Sequence, residues 1–198
     1  MPVSVRLTTV QPSGTLSLLP GVTPGIHPAF AQHYVRRVRF GSSDPLVDVC
    51  RKRGHKVQWD VGLDGREDHT RFVVDFPCMS PENSVLAKNM SAVDQLEWVK
   101  KMQTIWADNA VSVTVYYRKE ELETIKNWLD RNYTKNIKSV SFLLHADHNF
   151  ILPPYEEITE DEYKKMSSKI DSSIPLVQKS FDAELVVDDC ATGACPIK

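Results

Sequence analysis

The order of predicted elements between residues 91 and 144 constrains the fold of this chain more than any other feature. Ser91 with Asp94 three residues later is typical of a helix start, and apolar residues then recur at helical spacing as far as Trp106. Segments with the spacing of a strand, a helix and a strand follow at residues 111–117, 118–130 and 139–144. This order of helix, strand, helix and strand predicts parallel pairing in an α/β fold.

The segments on either side of this region predict further elements. The β-rich run 3–10 ends at a turn and predicts a strand. Two apolar runs around a polar turn indicate a β-hairpin insertion at about residues 57–76. Thr159 and Glu162 have the spacing of a capping box, which predicts a short helix that ends near Ile170.

Composition excludes several classes of protein. The chain has 198 residues, of which 41% are hydrophobic and 25% charged, and its formal net charge is −2. Such a chain can bury a core, and its charge favours neither nucleic acid nor a membrane surface as a partner. It has no apolar stretch of membrane-spanning length and no signal-peptide pattern, so we expect a cytoplasmic protein. We place a folded domain at residues 1–170 and a flexible redox tail at residues 171–198.

A polar loop follows the first predicted strand. Residues 11–19 contain the hydroxyls of Ser13, Thr15 and Ser17 around Gly14, and they lead into a short helix start. Hydroxyls, a glycine and backbone N–H groups at a helix N-terminus together form an anion site, for which phosphate is the natural ligand. An ordinary helix N-cap produces the same pattern, and from the residues alone we favour the N-cap over a phosphate loop.

A basic segment lies between residues 33 and 57, with seven Arg or Lys residues and two Asp residues. Its charges fit either a polyphosphate or a solvated surface, and we favour the solvated surface. His27 precedes this segment in a loop rich in proline and glycine. We interpret His27 as a hydrogen-bonded loop residue rather than as a base or a metal ligand.

Cys190 and Cys195 lie near the C-terminus with four residues between them. A thiol pair can pass two electrons to a disulfide by thiolate exchange, and a linker-like segment at residues 171–189 provides reach. The alternatives are a structural disulfide or half of a metal site, but a zinc site needs two further ligands. We therefore predict no metal site. Cys50 and Cys78 are interpreted as ordinary buried or half-buried thiols.

Five segments in chain order resemble the C-terminal third of monomeric, adenosylcobalamin-dependent ribonucleoside-triphosphate reductases. They are residues 8–19, 21–27, 106–115, 154–163 and 190–198. The resemblance implies the C-terminal portion of a ten-stranded α/β barrel of the ribonucleotide reductase type. It also implies that the phosphates of the substrate nucleotide are held by Pro12, Ser13, Gly14, Thr15, Leu16 and Ser17.

The same resemblance implies a reaction. In that family the cobalamin cofactor generates a thiyl radical, which takes the 3′ hydrogen of the ribose. Ribonucleoside triphosphates are thereby converted to 2′-deoxyribonucleotides, the precursors for DNA replication. Cys190 and Cys195 would then be the pair that re-reduces the active-site disulfide and is itself reduced by thioredoxin.

The radical cysteine and the active-site disulfide of that family are expected upstream of Val3. We therefore expect a fragment or a split subunit that is inactive alone. Its partners would be a ribonucleoside triphosphate, thioredoxin and the N-terminal part of the reductase, and the complete enzyme would bind the adenosylcobalamin. The alternatives are a stand-alone thioredoxin-linked dithiol carrier, a nucleotide-phosphate-binding module and a relic without activity.

Overall fold

The computed structural model describes residues 4–13, 16–17, 21–62, 64–145 and 151–175. The strands are β1 (His33–Gly41), β2 (Val57–Val61), β3 (Glu67–Met79), β4 (Thr114–Tyr117), β5 (Ser141–Leu144) and β6 (Tyr155–Glu157). The helices are α1 (Pro45–Lys52), α2 (Ala92–Ile105), α3 (Leu122–Asn136) and α4 (Glu160–Ser167). The fold is therefore a mixed α/β arrangement with one parallel pair of strands and one antiparallel sheet.

The parallel unit consists of β4 and β5, which are joined through α3. This confirms the pairing predicted for the second half of the chain. Helix α2 begins at the capping box of Ser91 and Asp94, also as predicted. The core between the helices and β4 contains Leu96, Val99 and Val115, each with 0% of its surface exposed. Burying one such side chain stabilises the fold by about 1.5–3 kcal/mol. These three side chains therefore stabilise the packing of the helices against β4.

The run before the polar loop joins the parallel unit. Val10 pairs with Val111 in a parallel bridge, and Ser112 donates its backbone N–H to the carbonyl oxygen of Val10 at 2.9 Å. Among the described residues 4–10, the strand predicted over 3–10 is thus limited to this bridge. The segment that ends at Val10 runs parallel to the chain that enters β4, which in turn runs parallel to β5.

The antiparallel sheet has the strand order β2–β3–β1–β6. β2 and β3 form a hairpin, as the polar turn indicates, although β3 continues to Met79. Whether this hairpin is an insertion stays a prediction. The sequence pattern does not reveal β1, because its buried side chains include Arg37 beside Tyr34 and Val35 and do not alternate with polar ones.

Helix α4 lies against β1 and β3 of this sheet. It begins at the capping box of Thr159 and Glu162, as predicted, and it ends at Ser167, slightly before the predicted end. The Thr159 hydroxyl oxygen accepts the backbone N–H of Glu162 at 3.2 Å, and such a cap stabilises the first turn by about 0.5–2 kcal/mol.

The chain after α4 contacts the loop after α1. Asp171 donates its backbone N–H to the carbonyl oxygen of Arg53 at 2.8 Å, and the Arg53 Nε donates to the Asp171 carbonyl at 3.1 Å. Gly54 has a φ of +92°, and a Cβ at this position would lie 2.2 Å from the carbonyl oxygen of Lys169. Only glycine allows this backbone approach.

The strands within the described ranges form two separate sheets and no closed barrel. The mixed α/β fold is confirmed, whereas the ten-stranded barrel, the folded domain at 1–170 and the tail at 171–198 stay predictions. Residues 176–198 lie outside the described part of the chain. None of the helices in the described part has the length and apolar character needed to cross a membrane.

Candidate functional site

The polar loop follows a segment that pairs in parallel with the chain before β4. Val10 pairs with Val111, three residues before β4 begins at Thr114, and residues 11–13 follow Val10 directly. In α/β folds, ligands bind where loops follow the carboxyl ends of parallel strands. The position of the loop in the fold therefore suits a substrate site.

Asp108 fixes the segment that leads into the loop. Its Oδ2 accepts hydrogen bonds from the backbone N–H groups of Leu7 at 3.0 Å and Thr8 at 3.3 Å, and from the Thr8 hydroxyl at 3.2 Å. These hydrogen bonds, of which the one from Leu7 has the largest effect, lower the pKa of Asp108. The ionised carboxylate thus binds the start of the chain to the turn that follows α2.

The two described hydroxyls of the loop have different roles. The Ser13 hydroxyl oxygen accepts the backbone N–H of Leu16 at 2.9 Å, whereas the Ser17 hydroxyl donates to the carbonyl oxygen of Ser13. Because a hydroxyl has one donor hydrogen, the Ser13 hydrogen is available to an anion and the Ser17 hydrogen is engaged. The bond to Leu16 fits an N-cap and an anion loop equally. Gly14 and Thr15 lie outside the described residues.

The loop that contains Gly25 and His27 packs against the polar loop. Gly25 has a φ of +57°, and a Cβ there would lie 3.4 Å from the Cα of Pro12. The His27 Nδ1 lies 2.9 Å from the Pro24 carbonyl oxygen, and its Nε2 accepts the backbone N–H of Thr114 at 3.1 Å. These partners assign the ring hydrogen to Nδ1. His27 is therefore a hydrogen-bonded loop residue, as the sequence predicts.

Side chains take the place of a neighbouring strand along one edge of β4. The Thr114 N–H goes to His27, and the Tyr116 N–H is accepted by the Gln95 Oε1 at 3.0 Å. The Gln95 Nε2 in turn donates to the Tyr116 carbonyl at 2.9 Å, and Gln95 is buried. The chain can therefore leave this edge after Val10 and form the polar loop without leaving these backbone groups of β4 unpaired.

Two aromatic side chains lie at the carboxyl ends of β4 and β5. The rings of Tyr116 and His145 are 5.4 Å apart. Burial raises the pKa of the Tyr116 phenol, so the phenol stays protonated at neutral pH and can still donate a hydrogen bond. Sequence reasoning did not single out either residue. Both residues lie at the ends of segments that the sequence predicts as parallel strands, and this position is the signal that could have identified them.

Cys50 and Cys78 belong to the unit with the antiparallel sheet. Cys50 is buried, Cys78 is half-buried, and both are free thiols. Burial raises the pKa of each, which favours the unreactive thiol over the thiolate. The prediction of ordinary thiols is confirmed. Cys190 and Cys195, the predicted redox pair, lie outside the described residues.

The basic segment is not a uniformly solvated surface. Arg37 is 8% exposed and forms ion pairs with Asp75 at 3.3 Å and with Glu156. The Nε of Arg39 lies 2.9 Å from the buried carboxylate of Asp60. The interpretation as a solvated surface is wrong for Arg37, because carboxylates on the neighbouring strands compensate its burial. Arg39 remains exposed.

Comparison with known proteins relates nearly the whole chain to one enzyme family. A family model described as "Ribonucleotide reductase, barrel domain" matches residues 4–143. The adenosylcobalamin-dependent ribonucleoside-triphosphate reductase of Lacticaseibacillus paracasei is 35% identical over 98% of this chain. The enzymes of the same name from Levilactobacillus brevis and Lactobacillus leichmannii are 33% and 31% identical, again over 98%. The chain spans about a quarter of the length of these curated relatives, 27% in each case.

A solved structure has a similar fold. The crystal structure of a B12-dependent (class II) ribonucleotide reductase matches with a TM-score of 0.70 at 30% identity, over 81% of this chain and 22% of that chain. The range covered by the family model includes the polar loop, His27 and Asp108. The chain therefore belongs to the ribonucleotide reductase barrel-domain family.

Proposed function

We propose that this chain is the part of an adenosylcobalamin-dependent ribonucleoside-triphosphate reductase that binds the substrate phosphates and carries the redox pair. The similarity over 98% of the chain to relatives of that name is the observation that carries this proposal. The complete enzyme reduces ribonucleoside triphosphates to 2′-deoxyribonucleotides in the cytoplasm. The chain contributes a segment of its ten-stranded barrel.

The substrate phosphates bind at Pro12, Ser13, Gly14, Thr15, Leu16 and Ser17. In this loop the Ser13 hydroxyl has a hydrogen to donate to a phosphate oxygen, and the backbone N–H groups of the turn add to the site. A hydrogen bond to a charged group contributes about 1.5–3 kcal/mol. Its loss in Ser13→Ala therefore weakens nucleotide binding by about 10–100-fold.

Ser17→Ala is the matched control for this experiment. The Ser17 hydrogen is already donated to the Ser13 carbonyl, so its removal leaves the donors for phosphate in place. We expect its dissociation constant for the nucleoside triphosphate to change several-fold less than that of Ser13→Ala, as measured by equilibrium binding to the complete enzyme. Equal losses in the two variants would contradict the role given to Ser13.

Cys190 and Cys195 return electrons to the active site by disulfide exchange. One thiolate attacks the active-site disulfide and forms a mixed disulfide, which the second thiolate then resolves. Two thiols are regenerated in the active site, and a disulfide forms between Cys190 and Cys195. Thioredoxin reduces this disulfide by the same exchange and is oxidised in turn. Two electrons thus pass from thioredoxin to the active site through the pair.

Cys190→Ser and Cys195→Ser test this exchange in the complete reductase. With thioredoxin as the reductant, each variant is expected to form about one product per enzyme and then stop, because the active-site disulfide is not reduced. A small dithiol that enters the active site directly restores repeated turnover. Cys78→Ala, at a half-buried thiol of β3, is the control that keeps turning over with thioredoxin. Repeated turnover of Cys190→Ser with thioredoxin would overturn the exchange role.

The chain alone is inactive under this proposal, since it spans 27% of the length of its relatives. The purified chain, given adenosylcobalamin, a ribonucleoside triphosphate and thioredoxin, forms no deoxyribonucleotide. Addition of a separately expressed remainder of the reductase restores the reaction. Product formation by the chain alone would contradict the proposal that it needs the remainder of the reductase.

The cofactor is not assigned to residues of this chain. The cavity beside α4 measures about 370 Å³ and the groove along α2 about 480 Å³. These volumes suit ligands of ordinary drug size. Binding of adenosylcobalamin is proposed for the complete enzyme, and no residue of this chain is assigned to it.

A further inference from the structure

A cavity of about 370 Å³ lies between helix α4, the antiparallel sheet and the loop after α1. Its volume is in the range of ligand pockets. The apolar part of its wall is formed by Val35, Pro77, Ile158, Met166 and Ile170. This cavity is separate from the polar loop and the parallel strands, so the proposed function gives it no role.

The acidic groups around this cavity have partners within the fold. Asp75 lies 3.3 Å from the Nε of Arg37, and Glu156 pairs with the same guanidinium group. Glu162 accepts the backbone N–H of Thr159 at 2.8 Å in the capping box of α4. The carboxylates are therefore already engaged and contribute little to the binding of an incoming cation.

The basic groups at the rim are not neutralised in the same way. Lys165 and Lys169 line the cavity, and neither has a carboxylate within 4.0 Å in the part of the chain that the structure describes. Lys56 lies 4.0 Å from Asp75, at the limit of an ion pair, and its side chain is 60% exposed. Three lysines beside an apolar wall favour a partner that is both acidic and apolar.

Downstream of this cavity, the chain contains a segment that is both acidic and apolar. Ile170 lines the cavity, and Asp171 is held to Arg53 by two hydrogen bonds. Residues 181–189 have the sequence Phe-Asp-Ala-Glu-Leu-Val-Val-Asp-Asp, with four carboxylates and four large apolar side chains. The six residue-to-residue steps from Pro175 to Phe181 can span about 20 Å when extended, so this segment is within reach of the cavity.

We infer that residues 181–189 bind in the cavity beside α4, with their apolar side chains against its wall and their carboxylates on Lys56, Lys165 and Lys169. Cys190 follows this segment directly, so the bound state keeps the redox pair on the surface of the antiparallel sheet unit. Release of the segment is then required before the pair can travel. This inference goes beyond the proposed function, and it holds whether or not the pair reduces the active site.

Carbodiimide coupling tests this inference, because it joins a carboxylate to a lysine only when the two touch. In the full chain at low salt we expect mass spectrometry to find the four tail carboxylates joined to Lys56, Lys165 and Lys169. High salt should reduce the yield by about five-fold, since exposed charge pairs are screened. The double variant Lys165→Glu/Lys169→Glu should lose most of the product.

The control is Lys100→Glu/Lys101→Glu on α2, which makes the same charge change away from this cavity and should keep the cross-links. A charge exchange that adds Asp188→Lys/Asp189→Lys to Lys165→Glu/Lys169→Glu should restore coupling between the two sites. Equal coupling of the tail to lysines throughout the fold would overturn the inference, as would failure of the charge exchange. Loss of coupling in sodium sulfate beyond that in sodium chloride of equal ionic strength would overturn it too, since the cavity would then take a small anion.

Discussion

The Nε2 of His27 accepts the backbone N–H of Thr114 at 3.1 Å, and this bond joins the loop around His27 to the edge of β4. The same loop contacts the polar loop, since Gly25 lies against Pro12. One imidazole thus links the candidate phosphate site to the parallel strands. The site is supported from β4 although no strand within the described residues neighbours this edge at Thr114.

Replacement of His27 by Ala leaves the N–H of Thr114 without its partner. We expect a loss of about 1–3 kcal/mol in the free energy of unfolding, as for other unpaired polar groups, measured by urea denaturation. Hydrogen exchange should become faster at Thr114. His69→Ala is the control, because the His69 side chain is 66% exposed, and it should change stability by no more than about 0.5 kcal/mol. Equal effects of the two variants would show that the bond to Thr114 contributes nothing.

Gln95→Met removes both hydrogen bonds to Tyr116 while keeping the length of the side chain. Two backbone groups of β4 are then left unpaired, at about 1–3 kcal/mol each. The matched control is Gln58→Met, because the buried Nε2 of Gln58 has no hydrogen-bond partner among the described residues. Thermal or urea denaturation should show a large loss in the free energy of unfolding for Gln95→Met and little or no loss for Gln58→Met.

Gly54→Ala places a Cβ against the Lys169 carbonyl in a backbone region that disfavours side chains. The strained φ alone costs about 1–3 kcal/mol, and the contact at 2.2 Å adds to it. Gly41→Ala is the control, since nothing lies within 4 Å of its Cβ position, and a gain of about 0.4–1 kcal/mol is expected there. Unfolding free energies and hydrogen exchange at Asp171 measure the difference. Unchanged exchange at Asp171 in Gly54→Ala would contradict the close contact.

Asp108 makes the attachment of the N-terminal segment dependent on pH. Its pKa in the folded protein lies below the ordinary value of 3.8, because the N–H groups of Leu7 and Thr8 favour the carboxylate. The stabilisation is therefore present above 3.8 and is lost as the pH falls through the folded pKa. Hydrogen exchange at Leu7 and Thr8 should lose protection in acid before the core amide of Val99. In Asp108→Asn this early loss should disappear.

Asp75 should show the opposite dependence. Burial raises its pKa above the ordinary 3.8, although Arg37 and Lys56 oppose the shift. The folded state then binds the proton more tightly, so this contribution to stability is present below 3.8 and is lost as the pH rises through the folded pKa. The difference in unfolding free energy between the wild type and Asp75→Asn should decline from acid to neutral pH. A rising difference would mean that Arg37, rather than burial, governs this carboxyl group.

Local signals were sufficient to predict the starts of α2 and α4 and the parallel pair of strands. Helix α2 and helix α4 begin where Ser91 and Thr159 predict, because a capping box satisfies backbone donors within one turn. The parallel pairing of β4 and β5 follows from the helix between them. His27 was recognised as a loop residue, but its partner Thr114 lies 87 positions away and no local pattern marks it.

The place of β1 in the antiparallel sheet depends on long-range pairs of charges, which explains why the sequence pattern does not reveal this strand. Arg37 is buried in β1 because Asp75 and Glu156 reach it from the two neighbouring strands. Gln95 is missed for a similar reason, since its carboxamide acts on the backbone of Tyr116 in another element. Such residues are polar in the sequence, and only the folded chain brings their partners close.

The two hydrogen bonds between Arg53 and Asp171 fix one backbone position 19 residues before Cys190. A chain of 19 residues spans about 63–68 Å at most when fully extended. Under the proposed exchange, the active-site disulfide of the complete reductase therefore lies inside a sphere of that radius around Asp171. A disulfide outside this sphere cannot be reduced by Cys190 while these two hydrogen bonds are in place.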